Sequence, residues 1–313
     1  MSFSTKAPFI TFTTPLQNAT GRMQYTLTND YMFRALLQSS KGTLKGIVCA
    51  AAGLNPQQIK SVKIMNPIEL GKSIEAKDFI LDVRVLLNDD TVINLEMQVF
   101  NLGNWPERSL GYLCRSFDNL GRGQDYIETK TVIQVCFLDF TLFPEAPEFF
   151  STYMFKNVKN NVIFSDKLKL FVVDLTRIDM ATEEDKACGI DRWARLFKAT
   201  TWEEIKMLSS TDIFLAEAAE TAYQLSAEEM IRMQCEARED YYRQQRYIQK
   251  KMKRLEELEQ NHAKLQQNNT ELQRTNTELQ QSNADKDKAL AASQEEIARL
   301  KEQLAKLQEN NET

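Results

Sequence analysis

Two short runs carry the residues best suited to chemistry, FILDVRVLL at 79–87 and TVINLEMQVF at 91–100. Both alternate, as half-buried strands do, and Asn88-Asp89-Asp90 between them is a turn signal, so the pair reads as a β-hairpin. Side chains on a strand alternate between faces. Val92, Asn94, Glu96 and Gln98 therefore share one face, and Ile93, Leu95, Met97 and Val99 the other. In the first run Phe79, Leu81, Val83, Val85 and Leu87 take the core face, leaving Ile80, Asp82, Arg84 and Leu86 opposite. A three-residue loop pairs Leu87 with Thr91, and counting back sets Asp82 opposite Glu96, with Cβ atoms about 5 Å apart. Two carboxylates this close repel unless something compensates them. A divalent cation would do so, and hard oxygen donors suit Mg²⁺ or Mn²⁺ better than zinc. The alternative is two acids on the solvent face of a hairpin, with Arg84 neutralising either of them.

The elements around this hairpin follow from caps and periodicity. TNDYMFRALLQSS from Thr28 reads as a helix capped by Thr28 or Asn29, with Phe33, Leu36 and Leu37 on one side. A second helix spans about Lys41 to Ala52 and ends at Gly53, and SVKIMNPIEL follows as a strand. After the hairpin, Trp105-Pro106-Glu107 opens a helix and the glycines at 121 and 123 close it. On that helix Arg108, Tyr112, Arg115 and Asn119 form a polar stripe opposite Leu110, Leu113, Phe117 and Leu120. The stripe suits phosphate or is simply solvated. TVIQVCFLDF is apolar throughout, as in a strand buried on both faces. Strand-like runs follow around Tyr153–Phe164 and Lys169–Leu175. From Thr182 the pattern is helical, with Trp193, Leu196, Phe197, Trp202, Phe214 and Leu215 available to pack on the α/β unit.

In order and spacing, NDYMFRALL (29–37), KDFILDVRV (77–85), NLEMQVF (94–100), ERSLGYLCRSF (107–117) and GQDYIETKTVIQVCFLDF (123–140) resemble the PD-(D/E)XK nuclease superfamily. The branch resembled is that of recombination-promoting nucleases and transposases, over roughly residues 25–180. The resemblance implies a restriction-endonuclease-like α/β core, a mixed sheet flanked by helices, that cleaves DNA with Mg²⁺ or Mn²⁺. By that likeness Asp82 and Glu96 are the metal ligands, and Asp30 is an accessory acid whose helix packs beside the hairpin. Gln98 stands where the wider superfamily usually has lysine. Glutamine can orient water or phosphate but cannot act as a general base at neutral pH. On this reading Gln98 positions the attacking water and Arg108, or else Lys130, supplies the missing positive charge and steadies the phosphate. The runner-up function is a catalytically inactive nuclease fold, a DNA-binding or scaffold protein that acts through a C-terminal coiled coil.

Beyond Arg246 the chain keeps a seven-residue repeat. With Leu258, Leu265, Leu272 and Leu279 at d, the a positions are Leu255, His262, Asn269, Asn276, Asn283, Leu290, Ile297 and Leu304, and d resumes at Leu300 and Leu307. Consecutive asparagines at a favour two parallel strands in register, so a homodimer is expected; a solvated single helix or a disordered polar tail is the alternative. Lys286 and Ser293 at d weaken the seam. The only histidine, His262, sits in this repeat, which leaves no Ser-His-Asp or Cys-His arrangement for catalysis.

Four segments result: a loosely ordered lead-in (1–22), the nuclease-like domain (23–180), a helical segment (181–242) and the coiled coil (243–313). The net charge of −5 supplies no global attraction to nucleic acid, but only the face that meets phosphate needs to be positive. The five cysteines are scattered without CxxC spacing, so neither disulfides nor zinc is indicated. With no leader and no long apolar run, a cytoplasmic location and no membrane contact are expected.

Overall fold

The computed structural model describes residues 10–68, 70, 82–118, 123 and 125–309. The chain divides into two compact units, Met1–Arg243 and Gln244–Thr313, and the division falls where aromatic residues give way to Gln, Asn, Glu and Lys.

The first unit is built on a six-stranded mixed sheet in the order β1-β2-β3-β4-β6-β5. Its strands are β1 (Val62–Ile64), β2 (Val83–Leu87), β3 (Thr91–Gln98), β4 (Thr131–Leu138), β5 (Phe150–Lys156) and β6 (Ile163–Asp174). The pairs β3–β4 and β4–β6 are parallel and the others antiparallel. Pleat alternation sorts the side chains between two cores. Val83, Val85, Ile93, Leu95, Val135 and Phe137 join a large cluster with helices α2 (Asp30–Ser39) and α3 (Lys41–Ala52). Val92, Val132, Cys136, Leu170 and Val172 join a smaller one with Trp105 and Leu113 of helix α4 (Trp105–Phe117). A mixed sheet with helices on both faces fits the restriction-endonuclease-like core that the resemblance implies. β4 is buried on both faces, as its largely apolar run, interrupted by Gln134, leads one to expect.

Local chemistry sets the boundaries. Asn29 caps α2 by accepting from the N–H groups of Tyr31 and Met32, and Gly53, at φ 63°, ends α3. The strand-like runs of 153–175 form one hairpin: β5 stops at Lys156, and Asn157–Asn161 turn the chain, with Asn161 at φ 61°. β6 then runs for 12 residues. α4 ends at Phe117, short of the glycines expected to close it, because Asp118 at ψ 70° has left the helix. Residues 79–81 of the first hairpin strand, and Asn119 and Leu120 of the α4 pattern, lie outside the described residues.

The helices α5 (Glu183–Cys188), α6 (Ile190–Lys198), α7 (Trp202–Ser209) and α8 (Ile213–Ala227) share the large cluster. Trp193, Leu196, Phe197, Trp202 and Leu215 are all buried, and Phe214 is partly so. Phe33, Phe137 and Phe197 meet with centroids 5.2–5.8 Å apart, tying α2, β4 and α6 together. The segment expected to be a loose lead-in is fastened from residue 10 onward. Ile10 N–H donates to Ser210 O at 2.9 Å, Thr13 Oγ1 donates to Glu220 Oε2 at 2.6 Å, and Leu16 of helix α1 (Thr14–Asn18) is fully buried. Its partners lie some two hundred residues away, where no local pattern announces them.

The last helix, α9 (Glu229–Glu309), is 81 residues long. Its first turns belong to the first unit, where Ile231, Cys235, Arg238 and Tyr242 are buried. The described residues of the second unit, 244–309, are helical throughout, a length of roughly 100 Å at 1.5 Å per residue. In the single chain Leu255, Leu258, Leu265, Leu272 and Leu279 are each 46–64 % exposed at the expected a and d positions. Among the described residues no helix is long and apolar enough to cross a membrane.

Candidate active site

The β2–β3 register is the one the alternation predicts: Leu87 pairs with Thr91, Arg84 with Asn94 and Val83 with Leu95. The paired register ends at Val83–Leu95, and Asp82 and Glu96 are the residues that follow it on either side, at the mouth of the hairpin. Asp82 directly precedes β2, and its backbone carbonyl is clamped from two sides. Arg34 Nη1, from α2, donates to it, and Asn66 Nδ2, from the loop after β1, donates at 3.0 Å. Arg34 Nη2 also donates to Asn66 O, and Asn66 Oδ1 accepts from Arg84 N–H at 2.8 Å. Arg34 has no solvent exposure.

Glu96 sits beneath α4. Arg108 Nη2 donates to Glu96 Oε1 at 2.8 Å and to Gln98 Oε1, while Gln98 Nε2 donates to Phe100 O at 2.8 Å. On the other side Gln134 Nε2 of β4 donates to Glu96 Oε2 at 3.3 Å. Behind this group lies a satisfied polar layer. Asn94 Nδ2 donates to Gln134 Oε1 (3.0 Å) and Ser116 Oγ (2.9 Å), and Arg84 Nη2 donates to Ser116 Oγ at 3.0 Å. The polar face of the hairpin is thus covered rather than open to solvent, and Arg84 is committed to Asn94 and Ser116.

The two acids are in an uncomfortable state. Burial pushes the Asp82 carboxyl up, with Arg34 and then Arg84 pulling it down. Burial also raises Glu96; Arg108 opposes this, and the Asp82 charge raises it further. Asp82 Oδ1 is buried and has no hydrogen-bond partner among the described residues. A buried carboxylate oxygen without a donor, facing a second carboxylate, is a costly arrangement, and a cation relieves both defects at once. The donor set therefore fits a hard divalent ion such as Mg²⁺ or Mn²⁺. Among the described residues no three His, Cys, Asp or Glu side chains gather as a metal cluster, so backbone carbonyls and waters would complete the coordination.

The remaining expected site residues lie elsewhere. α2 packs beside the hairpin, but the Asp30 carboxylate on its first turn is engaged by Arg238 of α9 through two hydrogen bonds, Nε to Oδ1 at 2.8 Å and Nη2 to Oδ2. Lys130 Nζ donates to Asp89 O at 2.7 Å, at the closed end of the hairpin. Arg108, not Lys130, is the cation beside the acids. Cys136 Sγ lies 3.9 Å from Glu96 Oε2, and burial followed by the Glu96 charge pushes its thiol well above the usual range, which disfavours the thiolate. Sequence reasoning missed Arg34, Asn66, Gln134 and Ser116. Arg34 did carry a signal, a charge flanked by Phe33, Leu36 and Leu37 on the core side of a helix.

Comparison with known proteins adds one match. The family described as PD-(D/E)XK nuclease family transposase matches residues 27–252. No curated protein and no solved structure matches the chain.

Proposed function

The chain belongs to the PD-(D/E)XK nuclease family transposases, and we propose that it is a divalent-metal-dependent DNA endonuclease in which Asp82 and Glu96 hold the cation. The observation that carries this reading is the pair of desolvated acids at the hairpin mouth, with Asp82 Oδ1 buried and unpartnered among the described residues. When bound, Mg²⁺ or Mn²⁺ lowers the pKa of a coordinated water and offsets the charge that develops on the phosphate. The chain's own part is to position and to neutralise. The Arg108 side chain is 27 % exposed, against 13 % for Glu96, and its guanidinium is the cation beside the acids that would meet a phosphodiester. Gln98 offers its amide oxygen to Arg108 and its amide nitrogen to Phe100 O. We therefore assign Gln98 to holding Arg108 rather than to positioning the attacking water. Arg34 is a positioning residue that fixes the backbone from which Asp82 projects.

An end-labelled DNA duplex is expected to be shortened by the purified protein with Mg²⁺ or Mn²⁺ and to stay intact in EDTA; an intact duplex at stoichiometric protein with either cation would overturn the proposal. The second reading, a fold that binds DNA without cutting, is favoured only by glutamine at 98, and would show as retention of the duplex without products.

Arg34→Lys is expected to slow cleavage about 10- to 100-fold, the usual cost of disturbing a group that orients a metal ligand. Lysine keeps the charge but cannot bridge Asp82 O and Asn66 O in the same fork. Cleavage at the unsubstituted rate, with unchanged thermal melting, would remove Arg34 from the positioning role.

The exposed a/d stripe of α9 supports a parallel coiled-coil homodimer, which would bring two cleavage sites to one duplex. Sedimentation is expected to give a dimer. Replacing Asn269, Asn276 and Asn283 by leucine should raise the melting temperature while mixing oligomeric states, because buried asparagine pairs select two strands at a cost in stability. A monomer at tens of micromolar before substitution would refute the dimer.

A further inference from the structure

Among the described residues of the first unit, exposed apolar side chains gather at the far end of the β5–β6 hairpin. β4 pairs with β6 only from Leu168 onward, so Ile163–Lys167 and the facing end of β5 form a two-stranded arm that leaves the sheet by about 15 Å at ~3.3 Å per residue. On it Phe155, Val158 and Phe164 are 53 %, 92 % and 88 % exposed, with Val162 and Ile163 also more than half exposed. Tyr126 and Ile127 (86 % and 80 % exposed) belong to a loop that Lys167 Nζ ties to the same strand, through Ile127 O at 2.8 Å. Apolar groups gathered on an isolated arm mark a contact surface.

Charge narrows the partner. Phe150–Lys169 holds four lysines (Lys156, Lys159, Lys167 and Lys169) against one acid, Asp166, in a chain whose net charge is −5. Lys156 and Lys159 are exposed and alternate with Phe155 and Val158. A symmetric contact between two copies of the arm would set these lysines against one another. A nucleic acid answers both features, offering phosphates to the lysines and bases to the apolar tip, as two-stranded ribbons and apolar wedges do in DNA grooves.

The ladder locates the arm relative to the acids. Glu96 pairs with Cys136 and Cys136 with Val172, and Val172 lies nine residues along β6 from Ile163, or ~30 Å at the strand rise. That is about nine base-pair steps at 3.4 Å. We propose that the β5–β6 arm is a second DNA contact, gripping duplex about one helical turn from the cleavage point with Lys156 and Lys159 on phosphates and Phe155, Val158 and Phe164 against the bases. The inference rests on the DNA nuclease reading and adds where the duplex is held.

The test is fluorescence anisotropy of a labelled 30-base-pair duplex with the full chain in EDTA, over a range of salt, beside a cleavage assay with Mg²⁺. The double variant Lys156→Gln/Lys159→Gln is expected to weaken binding about tenfold and to reduce the slope of log affinity against log salt by about two. Val158→Ser/Phe164→Ser is expected to weaken it about tenfold with the slope unchanged. Both should melt like the unsubstituted protein, since the substituted side chains are exposed. If the unsubstituted chain binds and cleaves the duplex and the arm variants bind it equally well, the arm proposal falls and the nuclease reading stands. If the variants change the sedimenting mass instead of the affinity, the arm is a protein contact and the proposal also falls. No binding or cleavage by the unsubstituted chain would overturn the nuclease reading itself.

Discussion

Glu96→Gln is expected to lower the DNA cleavage rate by about three orders of magnitude, or ~4 kcal/mol of transition-state stabilisation, while leaving the melting temperature within a few degrees. The substitution keeps the shape and the oxygen that accepts from Arg108 Nη2, so the contact between α4 and β3 survives. It removes the charge that a cation needs and that burial and Asp82 already oppose. Stability should change little, because relief of the repulsion from Asp82 is set against loss of the ion pair with Arg108. The combination of lost activity and retained stability separates a ligand from a packing residue. Cleavage within tenfold of the unsubstituted rate would remove Glu96 from the chemistry, and collapse of the fold would make it structural.

Arg238→Met is expected to cost about 3–5 kcal/mol of stability, since it strands the Asp30 carboxylate in a nearly dry site. Both side chains are only 10 % exposed, and the guanidinium makes two hydrogen bonds to the carboxylate. It also lies over the rings of Tyr241 and Tyr242, at 4.6 and 5.2 Å from their centroids. Asn29 Nδ2 reinforces the joint by donating to Cys235 O at 3.1 Å. The beginning of α9 is thereby fixed to the N-terminus of α2, the helix that carries Arg34. Urea denaturation measures the loss, and a double-mutant cycle with Asp30→Leu checks its cause: Asp30→Leu/Arg238→Met should recover most of the stability. The same double variant examines the accessory-acid role expected of Asp30. Full stability with cleavage unchanged would make Asp30 a structural partner of α9, whereas full stability without cleavage would return it to the active site.

The legible parts of this chain are those fixed by local rules. The β2–β3 register follows from a side-chain period of two and a turn-forming Asn-Asp-Asp, and the order of the residues alone is enough to pair Leu87 with Thr91 and Arg84 with Asn94. The end of α3 follows from Gly53, and the burial of β4 from its largely apolar run. Partners distant in sequence are not readable in this way. Nothing near Asp30 announces an arginine 208 residues away, and nothing near Asp82 announces Arg34. The face of α4 departs from expectation for a different reason. Leu110, expected on the apolar side, is 46 % exposed, while Ser109 and Ser116 are buried. α4 covers the polar side of the hairpin, where Asn94 and Arg84 demand a hydroxyl, and there hydrogen bonding outweighs hydrophobicity.

If Asp82 and Glu96 together form a cation-dependent cleavage site, the conversion of supercoiled plasmid by the purified protein reads it out in one assay. The reaction is run with Mg²⁺, with Mn²⁺ and with EDTA, beside Asp82→Asn and Glu96→Gln. Nicking or linearisation that requires the cation and disappears in both variants is the predicted result; cleavage that persists in EDTA or in either variant, or none from the unsubstituted protein, would contradict it.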